Sequence, residues 1–469
     1  MRTWCKPGLE QSNRPEPRPA PFPSKGGLGG LDVADLKQIA RDIFRDTLAA
    51  IDIPDALRGK LARAGARISA GEATLNLADY DSVRAVAIGK AAVAMAKGLA
   101  AALAPDIPVQ GILVAPHETV MKVPGFRAMG AGHPLPDAGS LAAARAILEM
   151  LASCDARTLV FFLLSGGGSA LVELPLNSGV PLGDVQELYR LLIACGAPID
   201  EINAVRKHLS AVKGGRLAAA APAATKVTLG VSDVPYGRES ALASGPTLPD
   251  PTTAFDARQV VERYALIAQL PAAFREIFED PAEIPETPKP GDPVFARSHF
   301  VLLLGSDDLL KEARRQSERR DCVAVCDDST DDWPIAEAAD YLLARLTRLR
   351  AANPGRRVAV IADGEVSSPV IGGGVGGRNS AFVLDCVEKI AGTTTTVLSA
   401  GTDGKDGSSP AAGAVADGKT AERARAEGLD PSAFARESNS YNFFRSLGDA
   451  VETGPTGNNL RDLRILLAE

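Results

Sequence analysis

Apolar residues along this chain alternate between two periods. In DLKQIARDIFRDTLAAI (35–51), Leu36, Ile39, Ile43, Leu48 and Ile51 fall near helical spacing, which predicts an amphipathic helix. SVRAVAIGKAAVAMAKGLAAAL (82–103) reads as a strand, a glycine turn and a helix. GILVAP (111–116) is a short strand with a proline stop, and SLAAARAILEMLAS (140–153) is a helix. TLVFFLLSGGGSAL (158–171) is a buried strand running into a glycine turn. Helical patterns follow at 183–196 and 201–221, then a strand at 226–234. The pattern restarts with strands at 299–308, 321–328, 357–365 and 394–404, with helices ending near Arg320 and covering 335–352 and 379–391.

Continuous apolar strands alternating with helices predict parallel sheets covered on both faces. The expected fold class is α/β, with two domains, each a largely parallel sheet flanked by helices. The N-terminal one is Rossmann-like, and the active site lies in the inter-domain cleft. The segment FEDPAEIPETPKPGDP (278–293) is dense in Pro and acids and is read as a linker. That divides the chain into a Pro/Arg-rich tail (1–32) read as disordered, a first domain (33–285) and a second (295–469).

Composition narrows the partners. The formal charge is −7, and no basic run interleaves with aromatics, which argues against nucleic acid. No apolar stretch reaches the roughly 18 residues of a spanning helix, so no membrane partner is expected. The first 30 residues lack the apolar core of a secretory signal, and their Pro clusters oppose an amphipathic transit helix. Six scattered Cys read as free thiols of a cytoplasmic protein rather than bridges or zinc ligands. The four His are equally dispersed. The imbalance that matters is 45 Gly against 14 Phe, 6 Tyr and 2 Trp. Without a collagen-like period, those glycines mark places where the backbone must turn or come close to something.

Several glycine loops follow strands, where open α/β sheets bind ligands. IGKAA puts Lys90 after a strand at a helix start, as an anion contact or as a lysine lying along the surface. It is not a P-loop, since Arg84 stands where the first Gly is needed and no Ser or Thr follows Lys90. SGGGSA offers Ser165, Gly166, Gly167, Gly168 and Ser169 as a substrate or phosphate nest; the alternative is a tight strand–helix turn. NAVRKHLSAVKGGRL carries Arg206 and Lys213 seven apart, hence on one helix face, as anion contacts or a solvated basic face. Asp233 closes a strand and reads as general base, magnesium ligand or turn cap.

GGGVGGRNSAF formally holds G-x-G-x-x-G, but its strand ends near Asp363, too far back for a dinucleotide turn. A loop of Gly374, Gly376 and Gly377 covering phosphate and presenting Arg378 fits better. SAGTDGKDG sets Asp403 and Asp406 three apart as candidates for a hydrated cation or ribose hydroxyls. TGPTGNN is a further glycine-polar loop near a terminal strand.

In this order, HPLPDAGS, LLSGGGSAL, INAVRKHLSAVKGGRLA, VSDV, ASGPT, GGRN, SAGTDGKDG and TGPTGNN resemble the class II glycerate 2-kinases with a C-terminal MOFRL domain. The resemblance covers about residues 33–469. It implies a kinase making 2-phosphoglycerate and ADP from D-glycerate and ATP with Mg2+ or another divalent cation. It places Lys90, Asp233 and Arg378 at the reacting centre. Relatives named hydroxypyruvate reductase make a nicotinamide-dependent reductase the alternative, beside a kinase for a related hydroxy acid. Two departures bear on substrate range. Tyr236-Gly237 follow Pro235 where the family has glycine-aspartate, and Gly373-Gly374 stand where it has Asn-Gly. A homodimer is compatible with this reading.

Overall fold

The computed structural model describes residues 35–105, 107–177, 179–234, 237–279 and 284–469. The tail 1–32 and the departure at Pro235-Tyr236 lie outside them. Three short strands, β1 (Leu61–Ala64), β2 (Arg67–Ala70) and β3 (Ala73–Asn76), form a small antiparallel sheet. Four-residue strands are too short for a two-residue period to stand out, so the sequence pattern missed them.

The first large sheet contains β4 (Ser82–Ile88), β5 (Val109–Pro116), β6 (Phe126–Ala131), β7 (Thr158–Ser165), β8 (Thr225–Val231) and β9 (Ser298–Leu304). Its order is β6-β5-β4-β7-β8-β9, and every pair is parallel. Alternate residues serve opposite faces. Ala85, Ala87, Phe161 and Leu163 pack with the helix Ala92–Leu103. Val86, Ile88, Phe162 and Leu164 pack with the helix Ala138–Ala152. Burial on both sides is why β7 reads as one apolar run. Strand order reverses between β4 and β7, and the loops after these two strands meet at that switch point.

The second large sheet contains β10 (Val323–Asp327), β11 (Val358–Asp363), β12 (Thr395–Gly401), β13 (Gly413–Asp417), β14 (Ala450–Val451) and β15 (Asp462–Ala468). Its order is β10-β11-β15-β12-β13-β14. Here the expected largely parallel arrangement is corrected, because only β10–β11 is parallel. The C-terminal strand β15, buried at all seven positions, fills the slot between β11 and β12 and runs against both. Its first residues therefore lie beside the carboxyl ends of β11 and β12, with Asp363 opposite Leu463 and Gly401 opposite Asp462.

The domain limits also shift. Segment 284–293 is not an inter-domain linker: Thr287 Oγ1 donates to Asp250 at 2.9 Å, and β9 still belongs to the first sheet. The chain crosses to the second sheet at Gly305, where the helix Ser306–Glu318 lies against β10 and β11. The opening helix Leu36–Ala50 also lies on the second sheet, against β12, β13 and β15, with Lys37 Nζ donating to Asp449 at 2.7 Å. The predicted helix over 201–221 divides into Ile199–Leu209 and Arg216–Ala219, because Ser210 is extended and Gly214 and Gly215 take positive φ. Among the described residues, no helix is long and apolar enough to cross a membrane.

Candidate active site

The switch point of the first sheet places Lys90 beside the SGGGS loop. Gly89 has φ +126°, and a Cβ there would lie 2.2 Å from Ser165 Oγ. Glycine alone lets the two loops touch. The Lys90 amide donates to Gly166 O at 3.0 Å and the Ala91 amide to Ser165 Oγ at 3.0 Å. Asp233 follows β8 in a turn closed by the neighbouring hydroxyl, with Val234 N donating to Ser232 Oγ at 3.2 Å. It caps no helix. A Cβ at Gly166 would stand 1.7 Å from Asp233 Oδ2 and 1.9 Å from Asn459 Nδ2, so this glycine admits the carboxylate and its partner.

The second sheet supplies the opposite wall. Arg378 opens the helix Arg378–Lys389, with Nη1 2.6 Å from Glu365 Oε2 and Nε 2.5 Å from Asp462 Oδ2. Glu365 follows the end of β11 by two residues, and Asp462 starts β15. The two walls join directly. Lys90 Nζ lies 2.6 Å from Asp403 Oδ2, and Asn459 Nδ2 donates to Asp233 Oδ2 at 3.2 Å.

Charge is tightly coupled here. Burial disfavours the Lys90 ammonium, but Asp403 outweighs it, aided by Asp233 and Glu365, and its pKa is raised. Burial likewise opposes the Arg378 charge, and Asp462 and Glu365 override it, so it stays a cation. Asp233 and Glu365 both titrate above the usual carboxylate range because burial exceeds the help of Lys90 and Arg378 respectively. His133 stands 3.2 Å from where a Gly167 Cβ would lie. The surrounding protein and then Lys90 hold its pKa down at about 4, so its ring is neutral near pH 7.

The candidates named from sequence separate into two groups. Lys90, Asp233, Arg378, Asp403 and the loop Ser165–Ser169 meet at one centre. The amides of Gly167, Gly168 and Ser169 donate to no backbone carbonyl among the described residues. Lys213 does not reach this centre: its Nζ is buried 2.8 Å from Glu173 Oε2. It lies beyond the helix that carries Arg206, so the two do not share a face. Arg206 stacks on Tyr189, with its guanidinium carbon 4.4 Å from the ring centroid.

Asp406 is not beside Asp403 on a shared ligand. It is 1% exposed and accepts from Asn379 N and Ser380 N, each at 2.9 Å, closing the start of the Arg378 helix. The Gly374 and Gly376 amides donate to Glu437 O and Ser408 Oγ, and that of Gly377 to Ser380 Oγ. The loop is thus pinned to the protein and positions Arg378, rather than forming an open phosphate cover.

Sequence reasoning missed Glu365, Asp462, Asn459 and His133 as members of the centre. Asn459 lies in the TGPTGNN loop and His133 in HPLPDAGS, so both motifs were visible but had no assigned place. Glu365 and Asp462 carried no signal beyond bordering a strand.

A domain of unknown function, DUF4147, matches residues 39–279, and the MOFRL family matches 358–462. A D-glycerate 2-kinase of Thermotoga maritima is 35% identical over 93% of this chain and 99% of its own. A putative hydroxypyruvate reductase of Agrobacterium vitis is 36% identical over 81% of this chain and 86% of its own. The crystal structure of a Thermotoga maritima glycerate kinase superposes with a TM-score of 0.75 at 34% identity, covering 92% of this chain and 99% of that one. This chain belongs to the class II glycerate 2-kinase family.

Proposed function

We propose that this protein transfers the γ-phosphoryl group of ATP to the 2-hydroxyl of D-glycerate, giving 2-phospho-D-glycerate and ADP. The observation that carries the reading is the meeting of Lys90, Asp233 and Arg378 between the two sheets. Phosphoryl transfer depends chiefly on positioning and on neutralising charge. Arg378, fixed by Glu365 and Asp462, presents a planar guanidinium suited to phosphoryl oxygens. Lys90, kept charged by Asp403, neutralises the same group. Asp233 orients the acceptor hydroxyl and takes its proton. The free amides of the SGGGS loop receive an anionic group of the acceptor.

Asp462 and then Asp233 add to burial in raising the cost of ionising Glu365, and carboxylate oxygens in such a setting suit Mg2+. Bound there with the nucleotide, Mg2+ would neutralise phosphate oxygens. Free thiols at the five described cysteines fit a cytoplasmic setting.

Incubation with D-glycerate and MgATP tests the reading, with the phosphate position determined by NMR. ADP and 2-phosphoglycerate are expected. NADH oxidation with hydroxypyruvate and no ADP would establish the reductase instead, the name borne by the Agrobacterium relative. Against that alternative, β11 ends at Asp363, well before Gly372, so the G-x-G-x-x-G run does not form a strand–glycine–helix turn.

A further inference from the structure

We propose that Arg206 is a buried counter-charge for the carboxylate of the acceptor, acting from beneath the SGGGS loop without touching the substrate. This inference rests on the glycerate kinase reading. Four donors saturate the Glu173 carboxylate: Tyr189 OH at 2.5 Å, Ser210 Oγ at 2.6 Å, Lys213 Nζ at 2.8 Å and Leu174 N at 2.8 Å. Lys213 neutralises it. Arg206 is left over. It is 8% exposed, belongs to no ion pair among the described residues, and its Nε has no hydrogen-bond partner. A buried guanidinium with no carboxylate partner is costly to a fold. Stacking on Tyr189 offsets only part of that cost.

Two bonded routes join this charge to the loop. The Tyr189 hydroxyl under Arg206 lies 2.8 Å from Ser169 O as well, so its single proton is shared between that carbonyl and Glu173. Asn203, one turn earlier on the same helix, accepts from Ser244 Oγ at 3.0 Å, and Ser244 Oγ lies 2.7 Å from Ser169 Oγ. Ala243 and Ser244 hold left-handed backbone, φ 51° and 61°, at this contact. Such strain in non-glycine residues persists where the surroundings enforce it. The loop therefore has free amides on a rigid base that carries one excess positive charge. The acceptor's carboxylate is the anion that matches. Gly166 of the loop adjoins Asp233, which orients the hydroxyl next to that carboxylate, whereas the phosphoryl group faces Arg378 on the other wall.

The test compares steady-state kinetics and melting of the full chain with R206M, R206K and Y189F. R206M is expected to raise KM for glycerate by about tenfold or more, as loss of a buried full charge near an anion requires. Its kcat and its KM for ATP stay near the parent values, and its Tm does not fall. R206K keeps the charge and recovers most of the affinity. Y189F keeps the charge but loses the bond to Ser169, and has a smaller effect. An unchanged KM for glycerate in folded R206M overturns the proposal, as does a rise in KM for ATP instead. If R206M does not fold, R206Q carries the same comparison. A parent protein inert toward glycerate would refute the kinase reading itself, a different outcome from a variant that behaves like an active parent.

Discussion

Lys90 Nζ lies 2.6 Å from Asp403 Oδ2, a bond between the loop after β4 of one sheet and the loop after β12 of the other. Lys90→Ala should lower kcat by about 10³-fold with the fold retained, since it removes a full charge from the transferring group. Asp403→Asn tests the pairing. Burial depresses the Lys90 pKa, and Asp403 is what lifts it above its ordinary value. A raised lysine pKa means that the charge is complete at low pH and is lost as pH rises through the folded value. Without Asp403 that loss comes earlier, so the alkaline limb of the kcat profile should move to lower pH. An unmoved limb would mean that Asp403 does not govern Lys90.

Arg378 is gripped from two sides, by Glu365 and Asp462. Arg378→Lys keeps the charge but loses the planar fork, and should not rescue Arg378→Ala. Both variants are expected to lose about 10³-fold or more in kcat. Recovery of activity in the lysine variant would show that charge alone suffices.

Gly166→Ala is a steric probe. The new methyl would fall 1.7 Å from Asp233 Oδ2 and 1.9 Å from Asn459 Nδ2, so Asp233 must be displaced and the bridge between the walls broken. We expect activity to fall by at least about 10²-fold with a drop in Tm of a few degrees, in line with misplacement of a reacting group. Near-normal turnover would argue against a direct role for Asp233.

Asp406 gives a stability signature. Burial pushes its pKa up to about 6, although Ser380 and Asn379 donate to it. The native state therefore binds the proton more tightly than the unfolded chain does. Its contribution to stability falls as pH rises from about 4 to 6 and is flat above, a change of about 3 kcal/mol. Asp406→Asn keeps an acceptor for the helix amides and should remove that slope. Denaturant titrations at pH 4.5 and 7 would reveal it, and an unchanged slope would count against the assignment.

Much of the architecture is legible in the sequence. Strands buried on both faces betray themselves as apolar runs, which located β4, β7, β8 and β11. The glycine loops at their ends were visible as motifs, and the structure brings Lys90 and Ser165–Ser169 together there. Asp406 and Lys213 were misread for one reason. Their residue types suit both a ligand site and a buried structural pair, and only burial among specific partners distinguishes the two.

Local periodicity and backbone freedom encode the strand–loop–helix units and the glycine loops at their ends, and the ordered motifs carry the family resemblance. Tertiary structure decided what no local pattern encodes. It inserted β15 against β11 and β12, which carries Asn459 and Asp462 from the last residues of the chain to Asp233 and Arg378. It returned the opening helix to the second sheet, and it left Arg206 buried with no ion pair among the described residues and its Nε unpartnered. Those outcomes follow from long-range packing, in which a strand or a charge settles where the remaining chain leaves a vacancy of the right shape and polarity.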